Sequence, residues 1–165
     1  VIGNDIIDLE LTRIESNWKR KNFIEKLFTE EEQKLIAAGE NPEIALWSLW
    51  SRKEAVYKIY HRQNKIRAFI PKLISCKPIQ SATPEFLGEV IVNGFVYYTR
   101  TEINSRYIYT EAVAAYEYFQ KIMNVNSADI AKDHDGIPYE YSTKNPVSVS
   151  HHGRYERCIQ LDINS

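Results

Sequence analysis

Hydrophobic spacing changes its period between residues 63 and 70, and that change limits the chain to a mixed fold. From residue 10 to about 63 the pattern is mostly helical, and beyond about 70 apolar and polar residues alternate at period two. Helices early and strands late predict an α+β domain, with N-terminal helices packed on an antiparallel β-sheet. A length of 165 residues suits one domain over 1–165 and a core that needs no staples.

Local signals place the elements. Thr29-Glu30-Glu31-Glu32 is a capping-box pattern, and the helix it starts should end near Gly39. Asn41-Pro42 starts a second helix, from about 42 to 63, the longest in the chain. Asn93-Gly94 between Glu89–Val92 and Phe95–Arg100 predicts a hairpin, and Asp135-Gly136 predicts another. Arg106–Tyr118 reads as a strand, residues 119 to 129 are ambiguous, and the alternation of Tyr155, Arg157, Ile159, Leu161 and Ile163 predicts a half-buried C-terminal strand.

Charge and composition exclude several classes. Lys plus Arg total 21 against 22 Asp plus Glu, so nothing in the net charge of −1 points to nucleic acid. No apolar run reaches the roughly 18 residues of a membrane span. VIGNDIIDLE lacks the layout of a signal peptide, and Cys76 and Cys158 form no metal-spaced cluster. Two free thiols in a reducing cytoplasm are the expectation.

Three constellations carry chemistry. Gly3-Asn4-Asp5-Ile6-Ile7-Asp8 ends an apolar strand with two acids, which suits either a hard divalent cation or a turn followed by a helix cap. In Trp50-Ser51-Arg52-Lys53-Glu54-Ala55-Val56-Tyr57-Lys58, Glu54 and Lys58 share a helix face with Trp47, Trp50 and Ser51. An acid so placed is a metal ligand, a base with a tuned pKa, or half of a solvated ion pair. Ser150-His151, followed by Gly153 and Arg154, brings a hydroxyl, an imidazole and a guanidinium to one turn, which suits either phosphate binding or an ordinary polar hairpin. No Gly-x-Ser-x-Gly elbow is present.

In this order the motifs resemble those of the 4′-phosphopantetheinyl transferase superfamily: Gly-x-Asp-x-x-Glu, Trp-x-x-Lys-Glu-Ala-x-x-Lys, Gly-Lys-Pro and a Ser-His turn. Here they read Gly3 to Asp8, Trp50 to Lys58 complete, Gly136-Ile137-Pro138, and Ser150-His151. NFIEKLFTEEEQKL is similar to the segment between the first two motifs in the holo-acyl-carrier-protein synthases, and the motif order is also theirs. The resemblance covers roughly residues 1–65 and 130–163, with residues about 80–125 expected as a β-hairpin insertion. Asp8 stands where the family often has Glu, and Ile137 where many members have Lys. Lys132, Lys144 and Arg154 are the candidates for the missing cation.

The resemblance implies transfer of 4′-phosphopantetheine from coenzyme A to a serine of an apo acyl or peptidyl carrier protein, as in fatty acid biosynthesis, with release of adenosine 3′,5′-bisphosphate. It implies Mg²⁺ or Mn²⁺ on Asp5, Glu54 and Asp8, with Glu54 as base and Lys58 on the phosphates. Coenzyme A then falls to Ser150, His151, Arg154, Gly136 and Lys53. By the same resemblance the site forms between subunits of a homotrimer, with Asp5, Glu54 and Lys58 facing a neighbour's Ser150, His151 and Arg154. Arg13, Lys19, Arg20, Lys21 and Lys26 are the expected contacts for an acidic carrier. A non-catalytic binding homologue and another Mg²⁺-dependent phosphate-ester enzyme are the alternatives.

Overall fold

In the computed structural model, which describes residues 1–80 and 85–162, a strand and four helices lead into the sheet. Strand β1 is Ile2–Asp8, and helices α1 (Leu9–Glu15), α2 (Phe23–Leu27), α3 (Glu30–Ala38) and α4 (Pro42–Asn64) follow. The Thr29–Glu32 capping box forms with both its bonds. Asn41 caps α4, its side chain accepting from the Ile44 amide, with Pro42 in the first turn.

Strands β2 (Ile74–Cys76), β3 (Phe86–Val92), β4 (Phe95–Ile103) and β5 (Tyr107–Val113) join β1 in an antiparallel sheet of order β1-β5-β4-β3-β2. Asn93 and Gly94 both take positive φ (48° and 83°), as a two-residue hairpin requires. Strand β5 stops at Val113, earlier than the sequence suggests, and the chain turns into a short 3₁₀ stretch, Tyr116–Lys121.

Strands β6 (Ile122–Asn124), β9 (Val147–His152) and β10 (Tyr155–Leu161) form a second sheet, while β7 (Ile130–Lys132) and β8 (Pro138–Glu140) make the Asp135-Gly136 hairpin. The expected strand position at Ile163 lies outside the described residues. Both cysteines are free and buried.

The strands between Phe86 and Val113 are integral to the main sheet. Strand β5 pairs with β1 residue for residue from Ile2↔Val113 to Asp8↔Tyr107, and β3 and β4 link β5 to β2. These strands are the middle of the sheet, and without β5 the strand carrying Asp5 would lose its ladder. Helix α4 packs on this sheet, burying Leu46, Ala55, Val56 and Ile59 completely. A smaller cluster of Ile2, Val113, Phe119, Ile159 and Leu161 fills the other face. Gly3 is where β1 meets α4: a Cβ there would stand 1.9 Å from the Ala55 carbonyl oxygen, so only glycine allows the approach.

Side chains close both edges of the main sheet. On β2, the Cys76 amide donates to Glu32 Oε1 (2.8 Å), and Lys53 Nζ donates to the carbonyls of Ile74 (2.8 Å) and Pro71 (2.7 Å). Lys53 and Glu32 are themselves paired at 2.7 Å, both fully buried. On β1, the amides of Asn4, Ile6 and Asp8 donate to Ser148 Oγ (2.9 Å), Ser150 Oγ (2.8 Å) and His152 Nδ1 (2.9 Å). Alternate side chains of β9 thus stand in for a neighbouring strand.

Lys53 is therefore committed to the frame of the fold, held by Glu32 and by backbone carbonyls. Lys53→Met strands Glu32 without its cation and should cost ~3–5 kcal/mol in chemical denaturation, whereas the Glu32→Gln/Lys53→Met double variant should recover much of the loss. Equal losses for the single and double variants would argue against the pair.

Candidate active site

Two odd-numbered positions of β1 face α4. Gly3 lets the strand lie close, and Asp5, two residues on, meets the turn of α4 that bears Ser51, Glu54 and Lys58. Asp5 Oδ2 is buried and accepts no hydrogen bond. Burial raises its pKa to about 6, opposed by Lys58, Ser51, His152 and Ser150 around it. Glu54 is pushed up to about 7, first by burial and then by the charge of Asp5, with Lys58 opposing. Lys58 is lowered by burial against the pull of both acids. Its Nζ donates to the carbonyls of Asn4 (2.6 Å) and Val149 (3.0 Å), which leaves one N–H for another acceptor.

Two acids raised together, one with an orphaned oxygen, form an incomplete charge set. Carboxylate oxygens on a rigid strand and a rigid helix fit a hard divalent cation such as Mg²⁺ or Mn²⁺. Asp5 and Glu54 are the residues that suit it.

Asp8 does not join them, because its carboxylate is engaged by the start of α1 and by Arg154. Its Oδ1 caps α1, accepting from the amides of Glu10 (3.1 Å) and Leu11 (3.4 Å). Arg154 grips the same carboxylate from Nε and Nη2, both at 2.9 Å, and from its backbone amide at 3.1 Å. The guanidinium holds the Asp8 carboxyl far below the usual range. Arg154 also meets Glu10 at 3.1 Å.

Ser150 is 5% exposed and is spent on the Ile6 amide and on Asp5. Its hydroxyl thus ties β9 to β1. Ser150 and Asp5 therefore meet inside one chain, where the resemblance placed them on two subunits. The reason is β9, which runs along the free edge of its own β1.

Next to this centre a cleft opens between α4, the β7–β8 hairpin and β9. Lys58, His61, Arg62, Lys132, Gly136 and His151 line it, with Asp135 the only acid. Asp135 is engaged by Arg67 (2.9 Å) and His134 (3.2 Å). His151 is exposed here, on the opposite face of β9 from Ser150 and His152. Of the three candidates for the missing cation near Ile137, Lys132 lines this cleft. Lys144 instead lies over the rings of Tyr139 (5.0 Å) and Tyr141 (4.4 Å), and Arg154 is held by Asp8. Arg62, which the sequence did not single out, donates to the carbonyls of Pro138 (2.9 Å) and Val147 (2.8 Å) and so ties β8 to β9. His152 was also missed, although its period-two spacing with Ser148 and Ser150 is the signal that marks it.

The chain matches known proteins over part of its length. The family model of the 4′-phosphopantetheinyl transferase superfamily matches residues 1–117, the span that holds Asp5, Glu54 and Lys58. The fatty acid synthase alpha subunit hexA of Dothistroma septosporum is 36% identical over 64 residues, 39% of this chain and 19% of that protein. A second hexA sequence, from strain NZE10 / CBS 128990, is 36% identical over 64 residues, 39% of this chain and 4% of that protein. The chain thus spans less than a fifth of the length of these curated relatives.

Folding holds two acids neutral up to about pH 6 and 7. In metal-free buffer their contribution to stability is full below about pH 4, the unfolded value, and is lost as pH rises through 6 to 7. Mg²⁺ should therefore raise the melting temperature strongly at pH 8 and little at pH 5. The same rise at both pH values would remove Asp5 and Glu54 as the ligand pair.

Proposed function

Because this chain belongs to the 4′-phosphopantetheinyl transferase superfamily, we propose that it moves phosphopantetheine from coenzyme A to a serine of an apo acyl or peptidyl carrier protein in the cytoplasm. The observation that carries this reading is the half-buried Asp5–Glu54–Lys58 group opening on a cleft rich in cations. Similarity to part of a fatty acid synthase alpha subunit favours a carrier of fatty acid synthesis. The free, buried thiols agree with a reducing compartment.

Asp5 and Glu54 would hold Mg²⁺ or Mn²⁺, which neutralises charge on the coenzyme A pyrophosphate when bound. Lys58 is fixed by two carbonyls, and its remaining N–H would donate to a phosphate oxygen. His151, exposed in the cleft beside Gly136, would bind a phosphate of the nucleotide end. Glu54, raised to about 7, is poised to accept a proton near neutral pH. The carrier serine oxygen bonds to the β-phosphorus, and its proton passes to Glu54. The bond from that phosphorus to the bridging oxygen breaks, and adenosine 3′,5′-bisphosphate leaves with the electron pair.

The test is the intact mass of an apo acyl carrier protein incubated with this protein, coenzyme A and Mg²⁺. A gain of one phosphopantetheine, lost with chelator, is expected. Glu54→Gln should lower the rate by roughly 10²–10⁴-fold, the usual worth of a positioned base, without loss of fold. Asp8→Asn keeps a capping oxygen and should leave the Mg²⁺ concentration for half-maximal rate nearly unchanged, while Asp5→Asn should raise it. A similar rise in Asp8→Asn would return that residue to the metal.

A further inference from the structure

Beside the site lies an apolar groove with a cationic border that the chemistry above does not use. The segment Asn64 to Gln80 contains Lys65, Arg67, Lys72 and Lys77 and no Asp or Glu. Its apolar side chains stand in solvent: Ile66 is 43% exposed, Ile70 50% and Leu73 65%. With Tyr57 and Tyr60 of α4 and Val92 of β3 they line one groove, and no lining side chain carries a charge. Arg67 is paired with Asp135, while the amines of Lys72 and Lys77 make no ion pair or hydrogen bond among the described residues.

The groove adjoins the candidate base. Tyr57 stands 4.8 Å from Phe69, and Phe69 stands 5.4 Å from Trp50, ring centre to ring centre. Trp50, Glu54 and Tyr57 follow one another on a single face of α4, so the groove begins one helical turn from Glu54.

We propose that this groove seats an acidic, amphipathic helix of the carrier protein. The inference rests on the transferase reading and names where that reaction's protein substrate docks. A serine must reach Glu54 on a partner held nearby. Clustered exposed apolar side chains mark a surface to be covered, and a basic border selects an acidic partner. The basic run just before α2 lacks such a floor: Lys19 lies over Trp18 and Arg20 over Phe23, and no large apolar side chain from Trp18 to Leu27 is exposed. Arg13, on α1, is paired with Glu43.

The experiment compares wild type, Leu73→Glu, Lys72→Glu and a Lys19→Glu/Lys21→Glu control, all full chains checked by thermal melting. Two readouts are taken: KM for apo acyl carrier protein against KM for coenzyme A, and binding of an acyl carrier protein whose acceptor serine is alanine. Leu73→Glu and Lys72→Glu should each raise the carrier KM and weaken that binding by about tenfold, with KM for coenzyme A unchanged and oligomeric state as in wild type. Wild-type transfer with no change in the two groove variants overturns the inference alone. So does an effect confined to the Lys19→Glu/Lys21→Glu variant, or an altered oligomeric state in the groove variants, which would make the groove a contact between copies of this chain. No transfer by wild type overturns the transferase reading, and the inference with it.

Discussion

A β-strand has two edges, and everything at this site depends on how β1 closes its second one. Strand β5 takes one edge through the backbone ladder. The other is met by Ser148, Ser150 and His152, whose side chains accept from three alternate amides. Leaving a buried amide unpaired costs ~1–3 kcal/mol, so three such bonds hold β9 firmly along β1. His152 accepts at Nδ1, which leaves its proton on Nε2 facing Glu15 at 3.3 Å. Because Ser150 bonds to the amide next to Asp5, the clip also sets that carboxylate against α4. The far edge of the sheet is closed in the same manner by Glu32 and Lys53, so neither edge offers a free template to another strand.

The acids divide into two kinds. Asp8 and Glu32 are fully partnered and hold the frame, one at a helix cap and one between a capping box and a strand edge. Asp5 and Glu54 are half-buried without adequate counter-charge, and both are raised toward neutrality. Such an arrangement works against folding on its own, and groups so perturbed cluster where a ligand or a reaction completes them. Lys58 is the intermediate case: two carbonyls fix it, and one donor remains.

Much of this was legible in the residues. The capping box, the Asn41-Pro42 helix start and the Asn93-Gly94 turn are local signals, and the fold honours each. Asp5, Glu54 and Lys58 were marked by motif, and the structure brings them together. What the sequence left hidden was non-local. The pairing of β1 with β5 spans about a hundred residues, so the middle strands looked like an addition. Lys53, Arg154 and Asp8 read as ligand residues because each is charged and lies in a motif. Their partners are Glu32 for Lys53, and each other for Asp8 and Arg154, and sequence spacing alone does not reveal such pairs. His151 and His152 are adjacent on a strand and face opposite ways, and His151, the histidine of the Ser-His motif, is the one that lines the cleft.

The most direct measurement is hydrogen exchange at the outer amides of β1. The amides of Asn4, Ile6 and Asp8 should be protected about as well as the ladder amide of Asp5, and Ser150→Ala should release Ile6 while weakening Mg²⁺ binding at Asp5. Exchange at Asn4, Ile6 and Asp8 as fast as at an open strand edge, with Mg²⁺ binding untouched by Ser150→Ala, would contradict the claim that β9 builds this site.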